Sequence, residues 1–143
     1  MCQTGGLGQL GTALRPLEVL LGQWRRLRAF TGHPFAINHT VRPLDEDAFA
    51  ATLQFRPAAI SFHLGVSADL IARAHDAGVV WLQQVMNRQQ AEEAEAGADV
   101  LIAQGGEAGG NGGWVSTMVL VPEVDVAGDL PVVAAGGIAD GPM

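Results

Sequence analysis

Five short apolar runs recur along the chain, and none of them alternates with polar residues. They are Pro34–His39, Ala58–Leu64, Val79–Val85, Asp99–Ala103 and Pro131–Ala135. Runs of this length that are rich in Val, Ile and Ala predict parallel strands buried on both faces. The segment GGLGQLG near the start adds an opening strand. The pattern therefore predicts about six strands.

Amphipathic segments lie between these runs. Leu17, Leu20, Leu21, Trp24 and Leu27 follow an i, i+3, i+4, i+7 spacing, and Leu70, Ile71 and Ala74 repeat it more briefly. This spacing places the apolar side chains on one face of a helix. One strand and one helix recur roughly every 20–30 residues, which predicts about six repeated βα units in a single α/β domain.

Residues at the ends of the predicted helices carry capping signals. Ser67 and Asn87 are placed as N-caps, and Gln90 follows Asn87 by three residues, as in a capping box. Gly78 and Gly97 stand just before the next strand. Both are predicted to end a helix in the left-handed conformation that glycine adopts readily.

Consecutive parallel units are compatible with two architectures, an open doubly wound sheet and a closed (β/α)8 barrel. The open sheet predicts a G-x-G-x-x-G turn after the first strand, followed by an acidic ribose ligand. GGLGQLG matches that turn poorly, because no acidic residue follows at the usual distance. The hydrophobic pattern alone does not separate the two architectures.

Charge and composition narrow the function class. The formal net charge of −7 argues against a nucleic-acid-binding protein, which would show a basic patch. The single cysteine, Cys2, cannot form an internal disulfide, so a cytoplasmic location is expected. The N-terminal residues lack the basic start and apolar stretch of a signal peptide. No apolar run approaches the ~18 residues that span a membrane, so no membrane partner is expected.

In a barrel, the chemistry lies where the strands end. The predicted strand ends present mainly amide and imidazole side chains: Asn38, His39, Ser61, His63, Gln83, Gln84 and Gln104. Amides both donate and accept hydrogen bonds, so they suit the polar edge of a flavin ring. They also cap exposed strand ends in proteins without a ligand, and a single amide does not separate these interpretations.

Two glycine-rich segments follow the last two predicted strands. Six glycines lie between Gly105 and Gly113, and Gly136 and Gly137 follow the last apolar run. Glycines allow backbone N–H groups to approach a ligand closely, and a Gly-Gly pair before a helix is suited to binding phosphate. A flexible loop and an ordinary βα turn are the alternatives.

The segments GGLG, PFAIN, SFHLG, VVWLQQV, DVLIAQGGEAGG and PVVAAGGIADG, in this order, resemble the nitronate monooxygenases. The resemblance covers nearly all of the chain and implies an FMN-binding (β/α)8 barrel. It implies that Asn38 and Gln104 contact the flavin or its ribityl chain and that Gly109 lies against the ring or tail. It further implies that Gly136 and Gly137 bind the FMN phosphate.

The resemblance also implies that residues 1–143 are the central part of one barrel domain, supplying its second to seventh strands. The first strand would be missing. So would the eighth strand, with its Gly-Thr phosphate contact. The sequence stops at residues 140–143, where the family would begin a helix.

One residue departs from the family pattern. Asn111 stands where the family has a histidine that acts as acid, base or substrate-orienting group. Asn donates hydrogen bonds but does not take up a proton in the useful range. His63, at a strand end, is a second candidate catalytic residue, although a packed or exposed histidine is the simpler interpretation. His33 and His75 are expected at the surface, and the position of His39 is left open.

Trp114 and Met118 follow the glycine-rich loop. They are expected either to form the wall of an apolar substrate pocket or to pack in the segment that leads into the next helix.

The function implied by the resemblance is FMN-dependent oxidation of an alkyl nitronate by O2, giving a carbonyl compound and nitrite. FMN is thus the expected cofactor, a small-molecule substrate and O2 are the expected partners, and no metal is expected. A flavin-dependent enoyl-thioester reductase and a non-catalytic remnant are the alternatives. A homo-oligomer is left open.

Overall fold

The computed structural model describes residues 2–139, in which parallel strands and α-helices alternate. The strands are β1 (Gly8–Gly11), β2 (Phe35–Thr40), β3 (Ala59–His63), β4 (Val80–Val85), β5 (Val100–Gln104) and β6 (Val132–Ala135). The helices are α1 (Leu17–Phe30), α2 (Glu46–Phe55), α3 (Ala68–Asp76), α4 (Arg88–Ala94) and α5 (Thr117–Asp125), after a 3-10 turn at Cys2–Thr4. Within residues 2–139, none of these helices has the length and hydropathy of a bilayer span.

The strands are ordered β1-β2-β3-β4-β5-β6, and every neighbouring pair is parallel. A doubly wound sheet reverses its strand order at a switch point, whereas a barrel adds each strand beside the last. The order therefore decides between the two architectures, and the six strands form a curled half-barrel. The prediction of a partial (β/α)8 barrel is confirmed, with the opening strand inside GGLGQLG.

The two faces of the sheet carry different side chains. Ile60, Phe62 and Trp81 point towards the helices, and the Phe62 and Trp81 rings stack at 4.4 Å between centroids. The opposite face holds a smaller cluster built around Ala59 and Leu82. Because side chains alternate along a strand, residues two positions after the members of this cluster also belong to the inner face. Asn38, Ser61, Gln84 and Gln104 are among them.

The predicted N-caps are present. The Ser67 hydroxyl accepts a hydrogen bond from the Leu70 N–H at 3.4 Å, and Asn87 Oδ1 accepts from the Gln90 N–H at 2.9 Å. The Gln90 side chain accepts from the N–H of Met86 at 2.8 Å, one residue before the cap. The reciprocal bond predicted for a capping box therefore forms, but to the preceding residue.

The two predicted glycine helix ends differ. Gly78 has φ +73° and ends α3 in the left-handed region, as predicted. Gly97 does not adopt a positive φ, so that prediction was wrong. A Cβ atom at Gly97 would lie 3.1 Å from Cγ2 of Ile71. Glycine is needed there for the close approach of the chain to α3 and not for its backbone conformation.

Candidate active site at the carboxyl ends of the strands

The carboxyl ends of parallel strands meet at one edge of the sheet, and the candidate residues lie along this edge. Asn38 lies near the end of β2, His63 ends β3 and Gln104 ends β5. Gly136 follows directly after β6. The strand register pairs Asn38 with Ser61 and Gln104 with Ala135. The fold thus places Asn38, Gln104 and Gly136 at the same end of the half-barrel.

Asn38 belongs to a chain of polar groups on the inner face. Its Nδ2 donates to the Ser61 hydroxyl at 2.9 Å and to the Ser61 carbonyl at 3.3 Å. The Ser61 hydroxyl donates in turn to Oε1 of Gln9 at 2.7 Å. Within residues 2–139, Oδ1 of Asn38 receives no hydrogen bond from the protein, so it can accept one from a ligand.

Gln104 holds the glycine-rich loop 105–115 in place. Its Nε2 donates to the carbonyl of Gly109 at 3.2 Å and to that of Asn111 at 3.4 Å. The structure therefore brings together Gln104, Gly109 and Asn111, three of the predicted site residues. Asn38 lies in the separate network described above.

A second contact fixes the same loop against α5. Oε2 of Glu107 accepts from the Thr117 N–H at 2.8 Å and from the Thr117 hydroxyl at 2.9 Å. These two hydrogen bonds lower the pKa of the Glu107 carboxyl. The carboxylate thus caps the first turn of α5, where unpaired N–H groups and the helix dipole favour negative charge.

Gly136 and Gly137 form a turn that requires glycine. Their φ angles are +121° and +69°. A Cβ atom at Gly136 would lie 2.6 Å from the Ala108 nitrogen and 2.7 Å from the Thr117 hydroxyl oxygen. The turn therefore passes against the glycine-rich loop with no room for a side chain. Backbone N–H groups in such turns form concave sites for anions.

Two clefts open at this edge and share the residues Leu64 and Asn111. We call the first the arginine cleft; it encloses about 580 Å³ and is lined by residues 12–16, 39, 40 and 42–45 together with the shared pair. We call the second the tryptophan cleft; it encloses about 530 Å³ and is lined by residues 86, 87, 90 and 112–115 with the same pair. Asn111 thus stands between two cavities of a size that holds small-molecule ligands.

Trp114 lines the tryptophan cleft and is fully exposed, whereas Met118 is 89% exposed and lies outside the lining. Neither residue is packed into the core, so the packing alternative was wrong for both.

The histidines at the strand ends have different environments. His63 lies on the inner face, and its Nδ1 is buried without a hydrogen-bond partner within residues 2–139. Burial lowers the pKa of His63, although a hydrogen bond with the backbone of His39 opposes the shift. Burial thus favours the neutral form of the His63 imidazole, whose Nδ1 lacks a partner in the described part of the chain.

His39 points the other way, into the layer between the sheet and the helices. Its Nδ1 lies 3.2 Å from the Thr12 hydroxyl and its Nε2 lies 2.9 Å from the Thr52 hydroxyl. Burial lowers the pKa of His39 to about 4, although the charge of Asp45 opposes the shift. Both ring nitrogens have partners, so we assign His39 a structural role. His33 is exposed, and His75 pairs with Asp99 near the surface, as expected.

The residues at the end of β4 divide between the two faces. Gln83 is fully buried on the helix side, where Nε2 donates to the Gly65 carbonyl at 3.0 Å and Oε1 accepts from Trp81 Nε1 at 3.1 Å. It is therefore a packing residue, and Gln84 lies on the inner face. Sequence reasoning missed Gln9, Arg15 and Arg42. Within residues 2–139, no cluster of three or more His, Cys, Asp or Glu side chains forms a metal site.

The family model for nitronate monooxygenase matches residues 45–142. The chain belongs to the nitronate monooxygenase family. This match includes β3 to β6, the glycine-rich loop and the Gly136–Gly137 turn. The family is one of oxidoreductase enzymes, and in barrels of this kind the chemistry lies at the carboxyl ends of the strands.

Individual relatives agree with this assignment. The chain is 38% identical over 142 residues to (3aS,4S,5R,7aS)-5-hydroxy-7a-methyl-1-oxo-octahydro-1H-indene-4-carboxyl-CoA dehydrogenase of Mycobacterium tuberculosis, covering 96% of this chain and 40% of that protein. It is 32% identical over 191 residues to a nitronate monooxygenase of Paraburkholderia phytofirmans, covering 99% and 52%. The structure of FabK from Thermotoga maritima superposes with a TM-score of 0.92 at 34% identity, covering 99% and 46%. The chain thus spans about half the length of these relatives, or less.

Proposed function

We propose that the chain is the central part of an FMN-dependent oxidoreductase that oxidises alkyl nitronates with O2 to carbonyl compounds and nitrite. The observation that carries this proposal is the Gly136–Gly137 turn, which packs against the glycine-rich loop at the edge where Gln104 and Asn38 present their amides. When bound there, FMN supplies the redox chemistry by accepting electrons from the substrate and passing them to O2.

The residues present fit FMN. The turn at Gly136 and Gly137 offers backbone N–H groups to a phosphate, and both φ angles there favour glycine. Asn38 and Gln104 use their amide N–H groups within the protein and keep their carbonyl oxygens for a ligand. Gly109 has no atom within 4 Å of the position of a Cβ, which leaves open space above the loop.

Asn111 and His63 are the residues we assign to the substrate. Asn111 lies between the two clefts, where its amide donates a hydrogen bond to an anionic oxygen of the substrate. It does not remove a carbon-bound proton, so the protein is expected to act on a preformed nitronate. His63 is the second candidate catalytic residue, because burial lowers the pKa of its half-buried imidazole and its Nδ1 has no partner within residues 2–139; it would act as a base only if the protein also accepts the neutral nitroalkane.

The test compares two glycine variants that introduce the same methyl group. Gly136→Ala places a Cβ against the loop, whereas Gly22→Ala adds one to open space on α1. With millimolar FMN, nitronate-dependent O2 uptake should disappear in Gly136→Ala and persist in Gly22→Ala. Uptake that is equal in Gly136→Ala and the unmodified protein would contradict the proposal. Absence of uptake in every variant would favour a non-catalytic remnant.

A second candidate is oxidation or reduction of an acyl thioester. The dehydrogenase relative is named for a carboxyl-CoA substrate, and an alkyl nitronate would fill only a small part of either cleft. The flavin-dependent enoyl-thioester reductases are the related enzymes that use NAD(P)H. Consumption of NADPH with an enoyl thioester, measured beside nitronate-dependent O2 uptake, separates the two candidates.

A further inference from the structure

The arginine cleft is open to solvent and has a composition that is unusual for this acidic chain. Its walls are the β1–α1 and β2–α2 loops, and Arg15 and Arg42 stand one in each. The net charge of the chain is −7, so an anion meets an unfavourable field over most of the surface. Two arginines facing one cleft provide a local exception.

Neither arginine is neutralised within residues 2–139. Arg15 donates to the neutral Gln23 amide at 2.9 Å, and Arg42 forms neither an ion pair nor a side-chain hydrogen bond. The one carboxylate in the lining, Asp45, accepts from the Ala48 N–H at 2.9 Å and caps α2. Both guanidinium groups are therefore available to a ligand, and their planar donor sets match phosphate oxygens.

Two leucines in the same lining adopt a backbone conformation that L-residues avoid. Leu14 has φ +57° and Leu64 has φ +62°. Of the three non-glycine residues with positive φ within residues 2–139, these two line the arginine cleft. Leu14 is also fully exposed. A left-handed leucine is unfavourable in a bare surface loop, and such local strain concentrates at ligand sites.

The size and position of the cleft indicate a long ligand. Its volume of about 580 Å³ far exceeds that of a nitronate or a phosphate ion, and Asn111 connects it to the tryptophan cleft. A substrate whose reacting group lay at Asn111 would extend one end along the leucines to the arginines. Its other end would enter the cleft beside the exposed Trp114.

We propose that the arginine cleft binds the phosphorylated tail of an acyl-CoA substrate through Arg15 and Arg42. This proposal rests on the acyl-thioester candidate of the proposed function. The acyl group then lies at Asn111 and in the tryptophan cleft. Coenzyme A and FMN both carry a phosphate ester that two arginines could bind. The experiment below distinguishes these two ligands.

The test measures binding of coenzyme A to the flavin-free chain by isothermal titration calorimetry, so failure of flavin binding or of turnover does not affect it. The variant is Arg15→Gln with Arg42→Gln. The matched control is Arg25→Gln with Arg26→Gln, which removes the same charge from exposed positions on α1. The first double variant should weaken coenzyme A binding by about tenfold or more, because each charge-assisted hydrogen bond contributes that much. The control should change it by less than about twofold on the same scale.

Circular dichroism confirms that both double variants are folded. Separate titrations with 4′-phosphopantetheine, FMN and inorganic phosphate identify the ligand. The proposal predicts binding of 4′-phosphopantetheine that is weaker than that of coenzyme A and loses affinity in the same double variant. No binding of coenzyme A at millimolar concentration, or equal weakening in both double variants, would overturn the proposal. It would also be overturned if FMN displaced coenzyme A and lost affinity equally in the Arg15 and Arg42 variant, or if inorganic phosphate bound as tightly as coenzyme A.

Discussion

Acidification should destabilise this chain through one buried side chain, His39. Its ring stacks on Phe62 at 5.3 Å and meets Phe49 edge-on at 5.8 Å between centroids. The Thr52 hydroxyl donates to the Ala48 carbonyl, so it accepts from Nε2 of His39. The other ring nitrogen, Nδ1, then carries no proton in the neutral ring and lies 3.2 Å from the Thr12 hydroxyl, which also lies 3.0 Å from the Asn38 carbonyl. Protonation would place a charge in this packed layer beneath the arginine cleft.

The size of the effect follows from the difference in pKa between the unfolded and folded chains. The ordinary value is 6.5 and the folded value is about 4. Because the folded value is the lower one, the unfolded chain takes up the proton first as pH falls. The full stability is therefore present above pH 6.5 and is lost between pH 6.5 and 4. At about 1.4 kcal/mol per pH unit, the loss reaches about 2 kcal/mol by pH 5 and about 3 kcal/mol below pH 4.

Urea unfolding at pH 7.5 and pH 5.0 measures this loss. The variant His39→Gln removes the titrating group, and His33→Gln removes an exposed histidine as the control. The unmodified chain and the control should each lose about 2 kcal/mol more on acidification than His39→Gln does. The pKa of His63 is also lowered, but its contribution is common to all three proteins and cancels.

NMR titration of the His39 ring gives an independent reading that does not depend on the stability of any variant. Equal losses in the unmodified chain and His39→Gln, together with a ring pKa at or above 6, would refute the reasoning.

Three further predictions concern the site. Asn111→His should raise turnover of a neutral nitroalkane relative to that of the nitronate, because histidine adds a general base worth up to about 10²–10⁴-fold. Equal activity of the unmodified protein on both forms of the substrate would argue against this prediction. Trp114 is fully exposed, whereas the other two tryptophans are fully buried. Trp114→Phe should therefore remove the part of the tryptophan fluorescence that acrylamide quenches. Fluorescence that acrylamide does not quench in the unmodified chain would contradict this. Residues 1–143 alone should bind FMN several orders of magnitude more weakly than a complete barrel. Within residues 2–139, β1 and β6 each pair with one strand, and a further strand beside β6 is expected to add two or three phosphate hydrogen bonds of ~1.5–3 kcal/mol each. Stoichiometric micromolar binding by a soluble monomer, measured by flavin fluorescence quenching, would contradict it.

The strands of this fold are predictable from sequence because burial on both faces leaves a continuous apolar run. The predicted run Val79–Val85 and the observed β4 at Val80–Val85 differ by one residue. Gly97 shows where local reasoning fails, since its role depends on Ile71, which is distant in sequence. A glycine that ends a helix and a glycine that allows a close contact have the same local pattern.

The site is less predictable because its contacts depend on register and loop shape. Strand periodicity places Asn38 at a strand exit, but only the pairing of β1, β2 and β3 brings it to Ser61 and Gln9. Glu107 caps a helix that begins ten residues later, which no capping pattern anticipates. Arg15 and Arg42 lie in loops that follow different strands, so the sequence does not indicate that both guanidinium groups line one cleft.

The central claim is that the carboxyl edge of this half-barrel binds FMN, and amide NMR during an FMN titration tests it most directly. The method works even when binding is weak. We predict that the amides of Asn38, Gln104, Gly109, Gly136 and Gly137 shift together with a single dissociation constant. A separate groove lies between α1 and α2 and is lined by Leu21, Ala51 and Phe55. Shifts confined to that groove, or no shifts at millimolar FMN, would contradict the claim.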